Sequence, residues 1–77
     1  MEKGVYKVFS IIMGIAVEEI DEESSPDTIE TWESISHMKL IAGLEEEFDI
    51  EFEEDEIVEM LNIEQILSVI KRKTIKN

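Results

Sequence analysis

The sequence predicts an all-α fold, a four-helix bundle with a long first loop and a short third helix. Three observations carry this. Apolar residues recur at three- and four-residue steps in three separate segments, the mark of one buried stripe per helix. The one stretch that alternates like a strand, Phe48, Ile50 and Phe52, has no second strand to pair with. Cysteine is absent, so neither a disulfide nor a thiolate metal site can stand in for a packed core.

The first helix is expected from the stripe Val5, Val8, Phe9, Ile12, Ile15 and Ala16, and the second from Ile35, Met38, Ile41, Leu44 and Phe48. Between them Glu18 to Glu33 makes a connection longer than the two to eight residues usual in small bundles. It contains the turn signal Ser24-Ser25-Pro26-Asp27, and Ile20, Ile29 and Trp32 are available to pack it down. After Phe48 an extended connector leads to a short third helix around Ile57, Val58, Met60 and Leu61. The last helix carries Ile63, Ile66, Leu67 and Ile70. Asn62 is its expected N-cap and Gln65 the capping-box partner. Lys71-Arg72-Lys73 then puts positive charge at the negative end of the helix dipole.

Composition bounds the function. A chain of 77 residues reads as one domain, 1–77, with a modest core and no room for an enclosed active site of the usual kind. The longest apolar stretch, Ile11 to Val17, is too short to span a bilayer and lacks a signal-peptide layout, so a soluble, cytoplasmic protein is expected. The net charge is -13, and between Val8 and Ile70 the only Lys or Arg is Lys39. Such a field repels nucleic acid and anionic membranes and attracts basic protein patches. The acidic run from Asp49 to Glu59 lacks the central glycine and Asp spacing of an EF-hand, so no metal site is expected.

The chemistry concentrates in Trp32-Glu33-Ser34-Ile35, followed by Leu44-Glu45-Glu46-Glu47-Phe48. These residues place a hydroxyl where a long loop becomes a helix. The first-turn amides there are unpaired and the dipole is positive, so the position suits a serine bearing a phosphate-linked group. Read by physics alone, Ser34 is far more readily an ordinary Ser N-cap. His37, one turn on, could pair with Ser34 as a base, but no orienting carboxylate is evident. It reads instead as a surface residue of the helix. Trp32 reads as packing, and the methionines, Met38 and Met60 among them, as adaptable core.

The segment resembles the attachment site of acyl carrier proteins, where an Asp-Ser-Leu motif opens the second helix and Leu-Glu-Glu-Glu-Phe closes it. The likeness spans the whole chain. Trp32 before the serine and His37-Met38 after it resemble a free-standing bacterial subgroup with a Trp-Asp-Ser-Leu site. The resemblance implies a carrier with no catalysis of its own. Ser34 would bear 4'-phosphopantetheine covalently, and Glu33 would be read by the phosphopantetheinyl transferase. Ile35, Lys39, Ala42, Glu45 and Glu46 would contact acyl-transfer and synthase enzymes with basic docking patches. The expected state is a monomer that neither binds nucleic acid nor inserts into membranes. Four positions depart from the family pattern: Glu33 for Asp, Ile35 for Leu, Ser36 for Asp and Lys39 for Glu. They leave open an aminoacyl or specialised-metabolite carrier, and also an acidic helical interaction module that is never modified.

Overall fold

A computed structural model describes residues 2–74. Helix α1 spans Glu2–Met13, a single 3-10 turn follows at Val17–Glu19, and α2 spans Ser34–Phe48. The chain closes with α3 at Glu54–Glu59 and α4 at Ile63–Thr74. The described residues form no strand, and 50–53 run as an extended connector.

α1 is shorter than its apolar spacing predicts. Gly14 adopts φ +70°, which only glycine takes cheaply, and ends the helix. The Gly14 and Ile15 amides both turn back to the Ser10 carbonyl, at 2.9 and 3.3 Å. The Ser10 hydroxyl donates to the Ile15 carbonyl at 2.6 Å. Ile15 therefore packs on the core from outside the helix and Ala16 is exposed, while Met13 takes the last buried position.

In α2 the expected stripe is also displaced. Leu40, Ile41 and Leu44 are buried, Phe48 is half-buried, and Ile35 and Met38 are 67% and 56% exposed. The reason is geometric. Ile35, Met38, Ile41 and Leu44 are spaced by three residues every time, and such a row walks round the helix. At about 100° per residue, nine positions put Ile35 roughly opposite Leu44. Gly43 lets α1 come close, since a Cβ there would stand 3.0 Å from Val8 Cγ1.

The long loop packs as predicted. Ile20 and Trp32 are buried and Ile29 lies against the core. Trp32 meets Phe9 of α1 edge-on, with ring centroids 5.0 Å apart. The Thr31 hydroxyl donates to the Met13 carbonyl at 2.9 Å. Two loop carbonyls, of Ser24 and Glu22, accept the Ile63 and Glu64 amides at 3.1 Å. Two first-turn donors of α4 are thereby satisfied by tertiary structure.

α3 starts at Glu54, earlier than expected, and buries none of its own residues. Met60, just past its end, is buried, whereas Val58 and Leu61 are exposed. Polar contacts tie α3 to α4: Lys73 meets Glu56 at 3.0 Å and Arg72 meets Glu59 at 3.4 Å. In α4, Ile63, Ile66, Leu67 and Ile70 are buried as expected, with Val69 beside them. Asn62 Oδ1 accepts the Gln65 amide at 2.8 Å, so the predicted cap forms. The reciprocal bond is displaced by one residue, because Gln65 Oε1 accepts from Leu61 N–H.

Candidate functional site

The helix start at Ser34 is built by its neighbours. Glu33 is the N-cap, with extended φ −131° and ψ −173°, and Ser34 is the first helical residue. The ordinary-cap reading of Ser34 is thus overturned. Its side chain is not needed to close the helix and it stands exposed. Ser36 takes the closing role. Its hydroxyl accepts the Glu33 amide at 2.8 Å and contacts the Thr31 carbonyl at 2.5 Å. One residue thereby pins the end of the loop to the first turn of α2. No acidic residue lies in that first turn itself, and the nearest carboxylate is that of the N-cap Glu33.

His37 is not the surface residue expected. It is half-buried, and its ring stacks on Trp32 at 24° with centroids 6.0 Å apart. The Trp32 indole N–H donates to His37 Nδ1 at 2.9 Å, and His37 Nε2 lies 3.1 Å from the Ile57 carbonyl of α3. An indole N–H only donates, so Nδ1 is the acceptor and Nε2 carries the hydrogen toward Ile57. Neither nitrogen is left to take a proton from Ser34, which removes the Ser-His base reading. Sequence reasoning missed this link. The available signal was the Trp32 and His37 pair, five residues apart across a helix start.

Beside Ser34 lies a mostly apolar cleft of about 320 Å³, walled by Pro26, Trp32, His37, Met60 and Leu61, with Glu33 at the serine end. Ile35, the residue after Ser34, is exposed. Along α2, Ile35, Lys39, Ala42 and Glu46 follow at four-, three- and four-residue steps, so they share one stripe, and all four are exposed. Glu45 departs from them. It is half-buried and its Oε2 accepts the Phe52 amide at 2.9 Å, fastening the connector to the end of α2. Met38, expected in the core, is exposed, while Met13 and Met60 are buried.

Among the described residues no three His, Asp or Glu side chains are grouped to hold a metal ion. No described helix is long and apolar enough to cross a membrane. No family model matches the chain. It is similar to a protein of Nitratidesulfovibrio vulgaris described as an acyl carrier protein. The two are 29% identical over 73 residues, covering 95% of this chain and 96% of that one.

Proposed function

We propose that this chain, as one domain over residues 1–77, is an acyl carrier protein without catalysis of its own. The observation that carries the reading is Ser34 itself, an exposed hydroxyl on the first turn of a helix, freed from capping and set beside an apolar cleft. The end-to-end similarity to an acyl carrier protein supports it. In a phosphopantetheinyl transferase, Ser34 Oγ would attack the pyrophosphate of coenzyme A, losing its proton, so that the arm is joined as a phosphodiester and adenosine 3',5'-bisphosphate leaves. Unpaired amides and the positive end of the α2 dipole favour that group. The arm's terminal thiol would then hold acyl cargo as a thioester.

Glu33 faces the transferase in this reading. Ile35, Lys39, Ala42 and Glu46 form the partner stripe, with Glu45 at its edge. Enzymes of fatty-acid or related synthesis would dock there through basic patches. Rim charges of this kind act mainly on encounter rate, which suits a cytoplasmic, monomeric shuttle that must leave each partner quickly.

Lys39 favours a second reading within the same class. An exposed cation in the middle of the stripe opposes a basic docking patch, as in a carrier serving an aminoacyl or specialised-metabolite assembly. Intact mass after incubation with coenzyme A and a broad-specificity transferase tests the main reading. Wild type gains one phosphopantetheine and Ser34→Ala gains none. An equal adduct on Ser34→Ala overturns the assignment. If neither gains mass with any transferase, the unmodified interaction module replaces it.

A further inference from the structure

We propose that His37 is a proton-operated latch on the cleft beside Ser34. Neutral, it holds the Trp32 wall in place; protonated at Nδ1, it releases that wall. As regulation of a cargo site this rests on the carrier reading, but the latch itself depends only on the unmodified chain.

The argument starts from donor and acceptor capacity. Trp32 is buried, and its single polar atom, the indole N–H, has His37 Nδ1 as its partner at 2.9 Å. That bond exists only while Nδ1 is unprotonated. A proton there places two donors face to face, and the indole N–H loses its acceptor inside the protein. Buried donors without partners are strongly disfavoured, so the indole must turn toward water. On the other side the outcome differs. Nε2 is already the donor to the Ile57 carbonyl, and a charged ring donates there more strongly. Protonation therefore frees the loop wall of the cleft while keeping the α3 wall. The movement has a defined direction.

Charged side chains stand around the ring on three elements. On α2, Glu33 lines the same cleft and Lys39 lies two residues along, exposed. The loop brings exposed Asp27 and Glu30 on the approach to Trp32. α3 carries Glu54, Asp55, Glu56 and Glu59, the last two engaged by Lys73 and Arg72. No Lys or Arg lines the cleft. Imidazoles as a class change charge between about pH 5 and 8, which sets the range of the test.

The chain suits a direct test because it has one histidine and one tryptophan. The unmodified protein, uniformly labelled with nitrogen-15, is titrated from pH 8 to 5 by NMR while tryptophan emission is recorded. The indole N–H and the His37 ring signals should move together with one midpoint, and the emission maximum should shift to the red as the ring becomes wet. His37→Gln keeps an acceptor and a donor but does not titrate, and its emission should stay constant over the same range. The proposal is overturned if His37 titrates while Trp32 signals stay fixed, or if His37 does not titrate before the fold is lost. A red shift of equal size in His37→Gln also overturns it. None of these outcomes depends on whether Ser34 accepts an arm. Failure of the latch and failure of the carrier reading are thus told apart.

Discussion

Glu45 and Glu46 are neighbours of equal charge, and the structure gives them different work. Glu46 stands free in solvent. Glu45 Oε2 accepts the amide of buried Phe52, the bond that folds the connector back onto the end of α2. Glu45→Lys removes that acceptor and leaves a shielded N–H without a partner, which costs about 1–3 kcal/mol. For a domain of this size each kcal/mol moves Tm by roughly 4–8 °C, so a loss on the order of 4–24 °C is expected. Glu46→Lys touches nothing buried and should change stability by no more than about 0.5 kcal/mol. Both substitutions make the net charge of -13 less negative by two, so the general electrostatic effect cancels in the comparison. Glu45→Gln keeps a carbonyl acceptor and should hold most of the wild-type Tm. The assay is thermal unfolding by circular dichroism for all three, followed by transferase rate at low and moderate salt. Glu46→Lys should slow modification in proportion to lost electrostatic steering without moving Tm. Equal Tm values for Glu45→Lys and Glu46→Lys would refute the assignment of Glu45 as a structural acceptor.

Gly14→Ala should cost about 1–2 kcal/mol, measured by urea unfolding. The position has space for a Cβ, but its φ of +70° disfavours one. Glu56 is held below the usual carboxylate range, first by the Glu53 amide and then by Lys73. Its folded-state value thus lies below the unfolded one, so its contribution is present above the unfolded value and is lost as pH falls through the folded one. The urea midpoint of Lys73→Met should fall less steeply than wild type between pH 5 and about 3; parallel curves would remove Lys73 from the account. On the partner stripe, Lys39→Glu should raise kcat/KM with a general fatty-acid ketosynthase a few-fold at low salt, since one exposed pair is worth only about 0.2–1 kcal/mol. No gain at low salt would mean that Lys39 does not set partner choice.

The fold class, the order of elements, the packed-down loop and the α4 stripe were legible in the residues. Those features depend on local pattern: apolar spacing, turn chemistry, caps and the charge at a helix end. Ile63, Ile66, Leu67 and Ile70 mix three- and four-residue steps and were read correctly. Ile35, Met38, Ile41 and Leu44 repeat three alone, and a linear pattern does not say which end of that winding row meets the core. Packing against α1 through the gap at Gly43 decides it, burying Leu40 and turning Ile35 outward beside Ser34. The end of α1 was misjudged because a row of apolar residues does not reveal the left-handed Gly14 that stops it. The candidate serine could be placed at a helix start from sequence, whereas the stripe beside it came only from the family resemblance. That Glu33 rather than Ser34 caps α2, that Glu45 is tied to Phe52, and that His37 joins Trp32 to Ile57 belong to the tertiary structure alone. Each depends on a donor and an acceptor from different segments arriving within about 3 Å, the reach of a hydrogen bond.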